Sequence, residues 1–109
     1  MKIKSFLLIL LFSIISKFNI SYADEAKMNK GLEIFNETAG CAACHVLKAA
    51  ASEGNIGPNL DTVEGLSYDS VMDIVTHGLG VMPAFGEDEI LTKEEIDIVS
   101  FYVANSVGK

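Results

Sequence analysis

The sequence predicts a single small domain of the all-α class, with three to five helices. Three segments, residues 24–36, 67–78 and 91–108, place apolar side chains at helical spacing. No stretch sustains the alternation of apolar and polar residues that is typical of a half-buried strand. The 109 residues contain no internal repeat and no low-complexity run, so we expect no second domain.

The chain opens with the pattern of a secretory signal peptide, which we predict to span residues 1–23. Two lysines form a basic start, an apolar run follows over residues 6–15, and the segment ends in Ser21-Tyr22-Ala23. The alternative is an uncleaved membrane anchor, but the apolar run of about ten residues is short against the roughly 20 that a spanning helix needs. We therefore expect cleavage after Ala23, an exported domain of residues 24–109 and no stable membrane insertion.

Removal of the leader leaves a strongly acidic domain. Five lysines face fifteen acidic residues, which gives a formal charge of −10. Such a surface repels the phosphate backbone, so no nucleic-acid partner is expected. It favours encounter with a protein that carries a basic docking patch. The alternative is that the acids only keep a small exported protein soluble.

Residues 24–36 predict the first helix. Two acids stand at its start, where the helix dipole favours negative charge. Met28, Leu32 and Phe35 follow near helical spacing, and the helix is expected to end before Gly40.

The segment "GCAACHVLK" follows this helix and holds both cysteines of the chain and one of its two histidines. Cys41, Cys44 and His45 form a CxxCH motif, which is the attachment pattern of c-type haem. A short turn can present both thiols to the two vinyl groups of one porphyrin, while the next residue directs its imidazole to the iron. The motif therefore predicts one haem c, bound covalently through two thioethers.

Two other chemistries use the same residue types. Zinc could take Cys41, Cys44, His45 and His77, but adjacent Cys44 and His45 make a poor tetrahedral pair and the usual histidine spacing is absent. A thiol redox enzyme of the thioredoxin type needs its CxxC after a strand of a βαβ unit, and no strand is predicted before Cys41.

The remaining elements are two helices separated by loops. Residues 48–59 are small and Gly-rich, which predicts a loop. The next helix has Ser67 as its N-cap and stops at Gly78. The last helix opens with a capping box of Thr92 and Glu95, and it places Ile96, Val99 and Val103 on one face.

The loop between these two helices, "GLGVMPAFGEDE", contains the favoured sixth ligand of the iron. Met82 lies there near Gly78 and Gly80, which let the backbone approach a flat ligand closely, and before Pro83, which favours an extended conformation of the preceding residue. Met28 and Met72 sit at helical spacing and are expected to fill the core. The alternatives to Met82 are His77 or an open iron, although a histidine at the end of a helix is ordinarily explained by the helix dipole.

These pieces together resemble the monohaem class I c-type cytochromes over residues 28–106. The resemblance is carried by "GLEIF", "CAACH", "GPNL", "GVMPAFG" and "LTKEEIDIVSFYV" in this order. It implies the small cytochrome c fold, with its helices wrapped around the haem.

The resemblance also implies the site residues. Cys41 and Cys44 would form the thioethers, and His45 and Met82 would be the axial metal ligands. The carbonyl of Pro58 would accept a hydrogen bond from Nδ1 of His45, and Leu60 would pack on the haem. Gly31 and Phe35 resemble the contact of the N-terminal helix with the C-terminal helix, to which Tyr102 belongs.

The function implied is one-electron transport in the periplasm by a protein that is not itself an enzyme. Within the family the chain is most similar to small haem c subunits of periplasmic dehydrogenases such as sulfite dehydrogenase, so an electron-accepting subunit is the alternative to a free carrier. Two rival classes are an enzyme, such as a peroxidase or a thiol oxidoreductase, and a gas-sensing module. Both haem-based rivals need an accessible sixth position, which a Met82 ligand would close.

Overall fold

The computed structural model describes residues 22–109, and this part of the chain forms three α-helices. They are α1 at residues 22–33, α2 at Tyr68–His77 and α3 at Lys93–Ser106. The predicted leader lies outside the described residues except for its last two positions, which belong to α1. Within residues 22–109 none of the helices combines the length and the apolar character needed to cross a bilayer.

The first helix does not end with an ordinary cap. It continues from α1 into a π-helical turn, Ile34–Thr38, and the amide of Ala39 donates to the carbonyl of Ile34 at 2.9 Å. This wider turn buries both Ile34 and Phe35. The helix ends before Gly40, as predicted, and Gly40 has the left-handed φ of 70° that starts the next turn.

The other two helices begin at the predicted caps. Ser67 accepts a hydrogen bond from the amide of Ser70 at the start of α2. Thr92 and Glu95 form the reciprocal capping box of α3. Gly78 follows the last residue of α2 with a φ of 75°, which an L side chain rarely adopts.

The fold is not purely α-helical, which corrects the sequence-based prediction. Two short strands, β1 at Val46–Leu47 and β2 at Ser52–Glu53, pair antiparallel, and β2 lies within residues 48–59, which were predicted as a loop. A 3₁₀ turn, Lys48–Ala50, joins them, and Ser52 Oγ accepts from the amide of Leu47 at 2.9 Å. Because each strand has only two residues, the ladder leaves no alternation that a sequence could reveal.

One hydrophobic core connects the helices with this small sheet. Its buried members are Ile34, Phe35, Leu47, Ala50, Val71, Val75, Phe85, Leu91, Ile96, Val99, Tyr102 and Val103. The predicted face of α3 is therefore confirmed. Met28 and Met72 are partly buried and pack against the core, as predicted.

The first and last helices meet through the residues that the family resemblance indicated. A Cβ placed on Gly31 would lie 2.3 Å from Cβ of Tyr102, so only glycine permits this approach. The rings of Phe35 and Tyr102 lie beside it with their centroids 6.0 Å apart.

A polar group, which the sequence did not predict, links all three helices. The hydroxyl of Tyr68 on α2 donates to Asp97 on α3, and Lys27 on α1 forms an ion pair with the same carboxylate at 3.1 Å. The ammonium of Lys27 also lies 4.6 Å from the centre of the Phe101 ring. The hydrogen bond from Tyr68, followed by that from Lys27, lowers the pKa of Asp97.

Candidate functional site

The CxxCH motif folds as one tight turn. Residues Cys41–Ala43 form a 3₁₀ helix, and the amides of Cys44 and His45 both donate to the carbonyl of Cys41, at 3.1 and 3.0 Å. Both cysteines are free and half-buried. The turn thus holds two thiols and an imidazole within five consecutive residues, as attachment of one porphyrin requires.

A glycine supports this turn from the sheet side. A Cβ on Gly54 would lie 2.7 Å from the carbonyl oxygens of both Ala42 and Ala43. The segment after β2 can therefore pack directly on the backbone of the two spacer residues. This contact was not predicted, and the only sequence signal for it is the glycine itself.

His45 is oriented by the segment that follows. Its Nδ1 lies 2.7 Å from the carbonyl oxygen of Pro58, which accepts the hydrogen bond. The hydrogen bond that the family resemblance implies is thus present. Since Nδ1 carries the proton, Nε2 is the nitrogen that bears the lone pair for a metal.

The ring of His45 lies against the backbone at Gly57. A Cβ there would meet the imidazole at 2.6 Å from Cε1 and 2.9 Å from Nδ1. Any larger residue would displace the ring. Gly57 thus makes room for the His45 ring, and no role was predicted for this residue of the "GPNL" segment.

The predicted haem contact Leu60 belongs to the same segment. Its amide donates to the carbonyl of Val46 at 3.0 Å, and its side chain is partly buried against the core. The next residue, Asp61, accepts hydrogen bonds from the amides of Lys48 and Gly108, and these two bonds lower the pKa of its carboxyl.

Met82 is presented by a separate, tightly closed loop. The amide of Met82 donates to the carbonyl of Leu79 at 3.0 Å, and the Leu79 amide approaches the Met82 carbonyl at 3.3 Å. Gly80, with a φ of 60°, occupies the first central position of this turn, as in a type II′ turn. The Met82 side chain is partly buried and packs against the core.

Gly78 permits a close contact within this loop. A Cβ on Gly78 would lie 2.7 Å from the carbonyl oxygen of Met82 and 2.9 Å from the amide of Ala84. The glycine thus lets the returning segment of the loop pack on the end of α2.

His77 is engaged by carboxylates. Its Nδ1 lies 2.6 Å from Glu87 and its Nε2 lies 3.6 Å from Asp73. The hydrogen bond to Glu87 is the main cause that raises the pKa of this exposed histidine. Both ring nitrogens are directed at anions, which explains the residue at the end of α2 without any metal.

The alternative chemistries of the two cysteines find no support in the described residues. Burial raises the pKa of the Cys41 thiol to about 11, whereas redox-active CxxC cysteines have lowered values. Within residues 22–109 no three His, Cys, Asp or Glu side chains lie close enough to hold a metal ion. The four zinc ligands considered above are thus not brought together.

The residues predicted for the site therefore fall into two groups. Cys41, Cys44, His45, Pro58 and Leu60 are joined by the hydrogen bonds of residues 41–61, while Met82 lies on its own loop. Three of the six, namely Cys41, Leu60 and Met82, pack against the same core. The assignment of each residue to a cofactor stays a prediction.

Known proteins resemble this chain in both sequence and fold. The family described as "Cytochrome C oxidase, cbb3-type, subunit III" matches residues 26–103, which include every predicted site residue. Among solved structures, the chain is similar to the c-type cytochrome SorU from Sinorhizobium meliloti, with 45% identity and a TM-score of 0.71. The match covers 78% of this chain and 95% of that one. No curated protein gives a significant match.

Proposed function

The chain belongs to the c-type cytochromes, which are electron-transfer proteins, and from this premise we propose that it carries single electrons in the periplasm through one haem c with His45 and Met82 as axial ligands. When bound, the haem supplies an iron that gains and loses one electron between its ferrous and ferric states. Side chains and backbone groups of this chain would attach the haem and orient its ligands.

Cys41 and Cys44 would hold the cofactor covalently. Their shared 3₁₀ turn fixes the spacing of the two thiols, and the close packing of Gly54 keeps that turn from opening. Covalent attachment also supplements the core of a small domain.

His45 would provide the proximal ligand, and its hydrogen bond to Pro58 is the single observation that carries the proposal. Its ring is held in the tautomer with a proton on Nδ1 because the carbonyl oxygen of Pro58, 2.7 Å from Nδ1, accepts the hydrogen bond. Such a hydrogen bond makes a ligating imidazole a stronger donor. A Cβ at position 57 would collide with this ring, so glycine leaves the space that the imidazole occupies.

Met82 would complete the coordination. A thioether in the sixth position raises the reduction potential relative to a second histidine and denies access to substrates or gases. The turn of Leu79 and Met82, together with the packing of Gly78, gives the loop a defined shape. His77 is the weaker candidate because both its nitrogens face carboxylates.

Export of the protein follows from the predicted leader. We propose that residues 1–23 are removed and that the acidic domain of residues 24–109 meets redox partners through a basic docking patch on their side. The formal charge of −10 supports this form of encounter.

A second candidate is the electron-accepting haem c subunit of a periplasmic dehydrogenase, for which sulfite dehydrogenase is the example given by the sequence resemblance. One structural observation favours a lasting interface: Leu79 and Val81, on the loop of Met82, are 70% and 93% exposed. Two large apolar side chains at this place are suited to burial against a partner.

The test of the proposed function is the mass and spectrum of the exported protein. We expect a mass of residues 24–109 plus one haem, a haem that resists acid and organic extraction, and a low-spin reduced spectrum that small ligands do not perturb. A mass without haem would refute the attachment. A spectrum of a high-spin or readily ligated iron would refute Met82 as ligand and favour a sensor or an enzyme.

A further inference from the structure

A carboxylate outside the predicted site joins two segments that are far apart in the sequence. Asp61 Oδ2 accepts from the amide of Lys48 at 2.8 Å, and Oδ1 accepts from the amide of Gly108 at 2.9 Å. Each oxygen thus serves a different segment, and the second donor is 47 residues away in sequence. Lys48 follows β1, while Gly108 lies just beyond the end of α3.

The bond to Lys48 is the last of a series of hydrogen bonds between residues 44–48 and 57–61, which we call the 44–61 ladder. Two of its members are backbone hydrogen bonds, from the Gly57 amide to the Cys44 carbonyl at 2.7 Å and from the Leu60 amide to the Val46 carbonyl at 3.0 Å. The hydrogen bond from His45 to Pro58 lies between these two in sequence. The ladder therefore fixes the carbonyl that orients the imidazole.

A local turn directs the carboxylate of Asp61 into the ladder. The amide of Asp61 donates to Asn59 Oδ1 at 3.0 Å, and the amide of Thr62 donates to the Asn59 carbonyl at 3.2 Å. This turn at Asn59 helps to place Asp61 beside Lys48.

We propose that Asp61 is a positioning residue for His45, acting through the 44–61 ladder and anchoring it to the end of α3. The inference rests on the proposed function, because it matters to electron transfer only if His45 ligates the iron.

The energetics favour this role. Hydrogen bonds from amides to an ionised carboxylate are stronger than those between neutral groups. The paired strands beside the ladder have only two residues each, so they offer few other bonds to hold this region. Without Asp61, the Pro58 carbonyl would still lie between the backbone hydrogen bonds of Gly57 and Leu60. The segment after Leu60 would, however, lose its hydrogen bonds to Lys48 and Gly108.

The consequence is a change at the iron. If the Pro58 carbonyl moves away, the His45 imidazole becomes a poorer electron donor, since it loses the acceptor that enhances its basicity. A poorer donor stabilises the ferric state less, so the reduction potential rises.

The test compares Asp61→Asn with Glu64→Gln in the haem-loaded protein. Both changes remove one negative charge within the same stretch of chain, but the Glu64 side chain is exposed, so its loss reports the charge effect alone. We expect Asp61→Asn to raise the reduction potential more than Glu64→Gln does. We also expect the Nδ1 proton of His45 to exchange with solvent about tenfold faster, as the loss of one hydrogen bond predicts for local opening. Equal potentials and equal exchange rates in the two variants would overturn the proposal.

A second variant covers the case in which Asp61→Asn does not fold. A chain that ends at Val107 keeps Asp61 but lacks the donor of Gly108. In this variant the exchange rate of the His45 Nδ1 proton should rise by a smaller factor. An unchanged exchange rate would also overturn the proposal. Failure of the proposed function gives a different result, because the unmodified protein would then lack a histidine-ligated spectrum.

Discussion

Two methionines, Met82 and Met72, form a natural comparison at the scale of single residues. Both are partly buried and pack against the core, but Met82 lies on a closed loop and Met72 within α2. The difference lies in the backbone that presents each thioether, and it predicts different consequences for their removal.

We expect Met82→Ala to open the iron to small ligands and to lower its reduction potential, because the thioether is lost. Met72→Ala should leave the low-spin spectrum intact and cost less than the roughly 2–5 kcal/mol of a fully buried methionine. Visible spectra with added cyanide or imidazole, together with urea unfolding, measure both effects. Loss of the low-spin spectrum in Met72→Ala, with Met82→Ala unaffected, would reverse the assignment.

The chemistry of the site was more predictable than its support. CxxCH is a local pattern, so the sequence alone indicated Cys41, Cys44 and His45. Gly54 and Gly57 matter because their missing side chains admit another segment, and a sequence does not show which segment approaches. The role of Asp61 could not be predicted for a similar reason, because one of its hydrogen-bond donors is 47 residues away in the sequence.

At the scale of elements, the crossing of α1 and α3 depends on one missing side chain. The two backbones approach so closely that Cβ of Tyr102 occupies the space where Gly31 would carry its own. The hydrophobic packing of Phe35 on Tyr102 follows from this approach.

Gly31→Ala should therefore destabilise the protein by on the order of 1–3 kcal/mol through overpacking, although alanine is the better helix former. Asn29→Ala, at an exposed position of the same helix, should change the free energy of unfolding little. Urea denaturation monitored by circular dichroism measures both. A Gly31→Ala protein as stable as the unmodified one would show that the crossing is less tight than the structure indicates.

The helices themselves could be predicted because their caps are local. Ser67 and Thr92 with Glu95 begin α2 and α3 as the sequence indicated. The two-residue strands and the π-turn could not be predicted, since they arise from contacts between segments and not from periodicity. The group of Tyr68, Asp97 and Lys27 likewise requires three helices to meet before it exists.

The group of Tyr68, Asp97 and Lys27 makes the free energy of unfolding depend on pH. The folded pKa of Asp97 lies below its unfolded value, chiefly because of Tyr68 and then Lys27. Its contribution is thus fully present above the unfolded pKa of about 3.9 and is lost as pH falls through the lower folded value.

We expect Asp97→Asn to lower the free energy of unfolding at neutral pH by on the order of 1 kcal/mol, since solvent weakens the pair. The deficit should shrink as the pH falls below about 4, where the unmodified carboxylate also becomes protonated. Urea midpoints across pH test this, with the exposed Asp88→Asn as control. A deficit that persists unchanged at low pH would contradict the electrostatic account.

At the scale of the whole molecule, charge separates the two proposed modes of electron transfer. A free carrier meets its partner in a weak complex of small area, so the encounter rate governs turnover. A permanent dehydrogenase subunit instead remains docked, with Leu79 and Val81 buried at an apolar interface. Only the first mode relies on the formal charge of −10 carried by residues 24–109.

For a free carrier, we expect reduction by a basic redox protein to slow by roughly tenfold or more as salt rises from 0.01 M to above 0.1 M, because the Debye length falls from about 30 Å to about 10 Å and electrostatic steering fades. Stopped-flow mixing at a series of salt concentrations measures the rate. An uncharged small reductant serves as the control, since its rate should stay nearly constant. A flat profile with the basic protein as well would count against acidic steering and favour the subunit, in which case Val81→Asp should weaken co-purification with a larger catalytic partner.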